Sequence, residues 1–374
     1  MKFSVEKNTL YDVVSSASRA CALKSSLNIL NGVLINLSGD ILTVTGYDLD
    51  VGIKASVSVN GGEDGETVTD PRLLSEIVKK MPDKTVEFTV KNNKEIKITS
   101  GKSVLSIPCK SGDDFPNIIE IKKEFSFEIN EKLFKEMLTR IDYASSKNDA
   151  NPSLMGIKME ISENVFYSVA TDGNRLAAKK KNIQAENMDI IIPEKAVGSL
   201  IRSLSEEEED GDEPKNVKIS IDKNQVCLSK ENYMIISRLL EGKFVNYKKI
   251  IEGEYTKKIT VNVRELASSM ERCLLLISEK LKSPVCCNVF DDYMKISCKT
   301  VSGEIEDEIS VTGKEGDFSD FSIYFNPRFM LEALQKTFCD EVNIYFENNL
   351  KPFKITPTQD DGEFIFIIVP IRSG

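Results

Sequence analysis

Three aspartates sit where carboxylates could do chemistry. Asp48 and Asp50 lie in Thr45-Gly46-Tyr47-Asp48-Leu49-Asp50, and Asp172 lies in Ala170-Thr171-Asp172-Gly173-Asn174-Arg175-Leu176-Ala177. Converging carboxylates hold divalent metals for phosphoryl transfer. Here no P-loop accompanies them and no nucleophile–base pair is visible. The chain has no histidine, so the commonest general base and the commonest zinc ligand are both missing. Turn capping is the better reading: Asp can bond its own backbone, and Gly accepts φ > 0 at little steric cost. The run Glu206-Glu207-Glu208-Glu209-Asp210-Gly211-Asp212-Glu213 lacks the spaced ligands of a calcium loop. It reads as a solvated insertion between a helix and a strand. No catalytic residue, metal or cofactor is expected.

Binding is what remains. Val165 to Ala170 alternates apolar and polar residues, as a half-buried strand does. Asp172-Gly173 turns the chain, and Leu176 with its alanines resumes an extended run. Arg175 and Leu176 then stand side by side after a tight turn, where they could offer a charge and an apolar ledge to a peptide. A plain surface hairpin is the alternative on local physics.

The elements that must position this turn recur three times, which is the first pattern to seek in a chain of 374 residues. Each copy opens with a short strand and an amphipathic helix. Phe3-Ser4-Val5 leads to Leu10, Val13, Val14 and Ala17; Phe127-Glu128-Ile129 leads to Leu133, Phe134, Met137, Leu138 and Ile141; Thr260 to Val263 leads to Leu266, Met270, Cys273 and Leu274. The i, i+3, i+4, i+7 spacing puts each set on one helix face. Strand pairs follow, turning at Ser38-Gly39-Asp40, Ser162-Glu163-Asn164 and Asp291-Asp292-Tyr293. Another strand comes next, then a helix beginning near Pro71, Pro193 or Pro327, then two or three more strands. Proline suits a first helical turn, where its missing N–H has no helical partner. The unit expected is β-α-β-β-β-α-β-β-β, an α+β module, in domains 1–122, 123–252 and 253–374.

Charge is distributed unevenly. The net charge is −10, which argues against a protein that grips nucleic acid over its whole surface. Residues 60–70 carry −4, 205–215 carry −6 and 301–320 carry −6, so the rest of the chain is +6. The six expected helices, 6–24, 71–81, 131–147, 194–204, 263–282 and 327–337, are each net positive. If they line one surface, that surface is basic while the outer loops are acidic. The eight cysteines form no CxxC pair, and Cys286-Cys287 are adjacent, a poor geometry for a shared disulfide. Reduced thiols in the cytoplasm are expected. The first seven residues hold lysines and a glutamate and no apolar h-region, unlike a signal peptide.

The octet 170–177 resembles the ATDGxRLA signature of the bacterial sliding clamp, the beta subunit of DNA polymerase III. The resemblance runs along the chain, through Met1-Lys2-Phe3-Ser4-Val5-Glu6, Thr45 to Asp50, Asp114-Phe115-Pro116-Asn117 and Val369-Pro370-Ile371-Arg372. It implies a DNA-clamp fold of three similar domains, a head-to-tail homodimer closing a six-domain ring, helices lining the hole, and duplex DNA passing through without sequence reading. It implies a processivity subunit with no catalysis of its own. Its partners would be the polymerase III alpha subunit, the clamp loader, other polymerases and repair proteins, all through short peptide motifs.

By the same resemblance, Leu154, Thr171, Gly173, Asn174, Arg175, Leu176, Val245, Lys249, Ile250, Leu281, Asn326, Phe329, Ile367, Ile368, Val369, Pro370, Ile371 and Arg372 would form the peptide pocket. A mainly aliphatic trough with a few polar groups suits an apolar peptide anchor. Asn174 stands where histidine is common, Val369 where methionine is common, and the tail reads Ser373-Gly374, so peptide preference is expected to differ. Resemblance and charge make Lys24, Arg72, Lys147, Asn148, Lys195 and Arg202 the DNA-facing candidates. Asn151, Pro152 and Ser153 replace the basic and aromatic residues common in the family, which weakens DNA contact there.

Ring closure would join Arg72, Lys79, Lys80, Lys102 and Leu105 of the first copy to Leu275, Leu276, Glu304, Glu306, Asp307 and Glu308 of the third, opposite charges giving register. An acidic edge strand that blocks aggregation is the other reading of that run. A metal-dependent phosphotransferase and a peptide adaptor that never encircles DNA are the competing functions. The whole-chain resemblance, the repeat and the charge split favour the clamp.

Overall fold

The computed structural model describes residues 1–22, 25–92, 94–118, 121, 125–148, 150–204, 215–277, 283–360 and 362–372. Lys24, Leu281, the acidic run 206–213 and Ser373-Gly374 lie outside them.

The periodic segments form helices that start where expected and end earlier than expected: α1 (Lys7–Ser18), α2 (Pro71–Lys80), α3 (Glu131–Thr139), α4 (Glu194–Ile201), α6 (Val263–Leu276) and α7 (Pro327–Leu334), with a short α5 (Tyr247–Ile251) before the third copy. Local chemistry fixes their starts. Asp70 accepts hydrogen bonds from the N–H groups of Arg72 and Leu73, with Pro71 at the first helical position. Asn326 does the same for Arg328, with Pro327 following. Such caps satisfy backbone donors that a helix start leaves unpaired. Leu10, Val14 and Ala17 of α1, with Leu74 and Val78 of α2, are fully buried in one core with Phe3, Phe88, Ile96 and Ile98. Burying each large side chain contributes about 1.5–3 kcal/mol.

The hairpins form at the expected turns. Ser38 pairs with Ile41, Ser162 with Val165, and Val289 with Met294. Gly39, Glu163 and Asn164 all take positive φ, as tight hairpin turns require. The second and third copies have one strand more between their helices than the expected unit, and the first has two, the short Asn60–Glu63 included. Gly65–Thr69, Met188–Pro193 and Ser322–Phe325 each run directly into the second helix. Met188–Pro193 has three consecutive isoleucines after Asp189 and Ser322–Phe325 has only four residues, so neither gives a period-2 signal.

The strands form a five-stranded, an eight-stranded and a twelve-stranded sheet. Two joints continue sheets from one copy into the next by one rule: the strand after the turn pairs antiparallel with the last strand of the following copy. Val51–Ser58 pairs with Tyr233–Arg238, Ile53 opposite Ile235. Arg175–Asn182 pairs with Phe364–Ile368, Leu176 opposite Ile367. Because sheets run through the joints, compactness does not follow the repeat. The chain forms two units, Met1–Lys135 with Lys195–Leu239, and Glu136–Glu194 with Leu240–Gly374.

Candidate functional sites

Asp48 and Asp172 are turn caps. The Asp48 carboxylate accepts from the N–H groups of Asp50 and Val51 at 3.0 and 2.7 Å. Asp172 accepts from Asn174 and Arg175 at 2.9 and 3.1 Å. Among the described residues no three His, Cys, Asp or Glu side chains are placed to hold a metal. All eight cysteines are free.

Arg175 does not offer a free charge to a ligand. Its side chain is only 13% exposed. The guanidinium pairs with Asp172 at 3.2 Å and with Glu332 of α7, and donates to the Tyr143 carbonyl at 2.8 Å. It lies over the Tyr143 and Phe329 rings, 5.0 and 4.7 Å from their centroids. The arginine is a fastener between the turn and α7. Its partners are distant in sequence, so local reading could not find them. Burial raises the Tyr143 hydroxyl well above its ordinary value, only partly offset by Arg175.

The pocket candidates divide into two groups. Asn174, Asn326, Phe329, Val369, Pro370 and Ile371 line an open cleft of about 470 Å³, together with Leu274, Ile277, Ser283 and Arg328. The last four were not among the pocket candidates, although Leu274 was read as part of a helix face; Leu274 and Ile277 lie at and just past the end of α6. The tail wall is pinned by backbone bonds from Val369 N–H to the Asn174 carbonyl at 2.8 Å and from Ile371 N–H to Tyr324 at 2.7 Å. Leu154, Leu176, Val245, Ile250 and Ile367 belong to a separate apolar cluster with Phe244 and Tyr247. Thr171 and Ile368 are buried, Gly173 takes φ +89° in the turn, and Lys249 and Arg372 are exposed.

The basic candidates are less free than the sequence implied. Lys147 pairs with Glu194 at 3.0 Å and Lys195 pairs with Asp48. Asn148 accepts from the Ala150 N–H at 3.0 Å. Arg72 and Arg202 are exposed.

The acidic residues Glu304, Glu306 and Asp307 are also compensated at home. Glu304 pairs with Lys299, Glu306 with Lys295 and Asp307 with Arg272, at 3.1, 2.9 and 2.9 Å. Lys80 pairs with Glu76 at 3.8 Å, and Lys79 lies over the Tyr11 ring. Charge therefore contributes less to any contact between copies than the sequence suggested. Apolar groups stand out instead: Leu275 is 85%, Val104 54% and Leu105 42% exposed.

Residues 1–119, 128–246 and 248–372 match, in turn, the N-terminal, central and C-terminal domains of the DNA polymerase III beta subunit. The chain belongs to the DNA polymerase III beta-subunit family. The beta sliding clamp of Staphylococcus aureus is 28% identical over the full length of both chains. That of Streptococcus pneumoniae is 26% identical over 100% of this chain and 99% of its own. Among solved structures, the sliding clamp of Bacillus subtilis and the beta subunit of Thermotoga maritima each superpose with a TM-score of 0.91 at 27% identity over all of both chains. The fold is the three-domain sliding-clamp fold, and the function is that of a DNA sliding clamp in replication, a processivity subunit without a catalytic role of its own. Family membership carries DNA, polymerase and dimerisation with it. No helix among the described residues is long and apolar enough to cross a membrane.

Proposed function

We infer that two copies of this chain close head to tail into a ring around duplex DNA in the cytoplasm. Each copy would contribute domains 1–122, 123–252 and 253–374. One observation supports this most: both joints inside the chain follow one strand-pairing rule, and the two strands that would make the third joint have open edges. Ser103–Pro108, the last strand of the first copy, is the outermost strand of its sheet. In Gly303–Glu315, residues 303–310 pair only with Tyr293–Thr300, while Val311 to Glu315 pair with Lys257–Asn262. An unpaired edge is a template for another chain. Val104 and Leu105 lie on one such edge, and Leu275 belongs to the helix packed on the other. The contact joins two different surfaces, so it closes only as a ring.

A ring holds DNA by topology and needs few phosphate contacts, since each neutralised phosphate adds salt-dependent affinity. Lys147 and Lys195, already paired with carboxylates, suit weak and exchangeable contact, with Lys24, Arg72, Asn148 and Arg202 as further candidates. The cleft beside Val369–Ile371 is the docking groove for short apolar peptides from the polymerase alpha subunit, the clamp loader, and other polymerases and repair proteins. The apolar cluster around Leu176 and Ile367 forms the rest of that site. Leu105→Asp tests the ring at its joint. At micromolar concentration it is expected to sediment as a monomer while retaining its circular dichroism. A dimer of unchanged mass would overturn the strand-pairing account.

A further inference from the structure

Charge is distributed one-sidedly around the cleft beside Val369–Ile371. Its walls are aliphatic along Leu274, Ile277 and the tail, and the start of α7 supplies another stretch of lining. Arg328, exposed in the first turn of that helix, is the one charged side chain among the described residues that line the cleft. A helix start already carries partial positive charge, which an acid relieves and a cation adds to. The two helices that begin on proline treat this differently. α2 sets the acidic cap Asp70 beside Arg72. α7 has the neutral cap Asn326, whose side-chain oxygen accepts from the Arg328 N–H at 2.9 Å, and no acid in its first turn. Guanidinium and helix start therefore add at the edge of an apolar trough.

We propose that Arg328 is a specificity residue of this cleft, selecting peptides that bring one carboxylate alongside their apolar anchor. The inference rests on reading the cleft as the peptide groove. An apolar trough discriminates weakly among aliphatic segments, because each methylene changes binding only modestly. A charged hydrogen bond at its edge adds choice and orientation, and the planar guanidinium can hold both oxygens of a carboxylate at once. Two sources supply such a group, an acidic side chain and a chain terminus, and the test separates them.

Random heptapeptides displayed on phage are selected on the full-length protein. The best apolar sequence is synthesised with a fluorescein label in matched pairs: Asp or Asn beside the apolar run, and a free or amidated C-terminus. Binding is read by anisotropy. Neutralising the carboxylate that Arg328 meets is expected to weaken binding about tenfold. A loss on changing Asp to Asn assigns the side chain as its source, and a loss on amidation assigns the chain terminus. Arg328→Gln is expected to abolish the preference and Arg328→Glu to reverse it, while both bind the neutral, amidated peptide as the unaltered protein does. Equal binding across both pairs, or a preference that neither variant changes, would overturn the proposal. A chain lacking residues 369–374 reads the underlying site. Heptapeptides that it binds undiminished, or a selection that enriches nothing, would mean that the cleft is not the peptide groove.

Discussion

The two internal joints share a geometry and differ in what fastens them. The first, between Val51–Ser58 and Tyr233–Arg238, is flanked by the apolar cluster of Ile118, Cys227 and Ile236. Its charges lie near water: Arg238 and Asp50 are 3.8 Å apart and largely exposed. The second, between Arg175–Asn182 and Phe364–Ile368, has charges inside it. Arg175 is clamped as described. Lys179, 3% exposed, donates to Glu136 at 2.8 Å and lies 3.7 Å from Glu363. Arg140 sits near Glu136 and Asp360 and over the Phe364 ring. Both joints bury apolar side chains, and the second adds partnered buried ions where the first keeps its Arg238–Asp50 pair near water. The physical consequence is asymmetric. Removing one member of a buried pair strands a charge and costs about 3–5 kcal/mol, while an exposed pair is worth about 0–1 kcal/mol.

That contrast can be broken most sharply at Arg175. Arg175→Ala is expected to destabilise the second unit by about 3–5 kcal/mol. Amide exchange should accelerate along Arg175–Asn182 and Phe364–Ile368. Unchanged exchange there would mean that the guanidinium fastens nothing.

Acid should act on the same joint next. Burial alone would raise the Glu136 carboxyl, but the hydrogen bond and charge of Lys179, then Arg140, hold it below its ordinary value of 4.5. A depressed carboxyl stabilises the fold above its unfolded value, and that stability is lost as pH falls through the folded one. Asp360 works in the opposite sense, because burial raises it. Protection of Phe364–Ile368 should therefore begin to fall below about pH 4.5, and Glu136→Gln should remove much of that dependence. An identical acid profile in the variant would contradict the assignment.

The smallest effect belongs to the first joint. Arg238→Ala should cost less than about 1 kcal/mol, read as an unchanged melting midpoint within a few degrees. A loss matching that of Arg175→Ala would erase the contrast.

These differences also mark what could be read from sequence. The hairpins at Ser38-Gly39-Asp40 and Ser162-Glu163-Asn164 were legible, because alternation and turn chemistry are local. The helices starting at Pro71 and Pro327 were legible through the proline at their first turn. The strand before each second helix was not, since Met188–Pro193 is apolar but for Asp189 and does not alternate, and Ser322–Phe325 is very short. α5, with five residues, carries too little periodicity to see. The role of Arg175 was misread because Tyr143, Phe329 and Glu332 meet it only in the fold. Lys147, Lys195, Glu304 and Glu306 looked available for partners for the same reason; their counter-ions are set by strand register and helix placement.

The most direct measurement is retention on nicked circular DNA after loading with ATP and a clamp loader, before and after the circle is cut. Retention that survives moderate salt and vanishes on linearisation is the expected result, because a closed ring can leave only over an end. Retention that ignores linearisation but falls steeply with salt would mean ordinary electrostatic binding, and the third joint, the ring and the DNA-facing residues would all be contradicted.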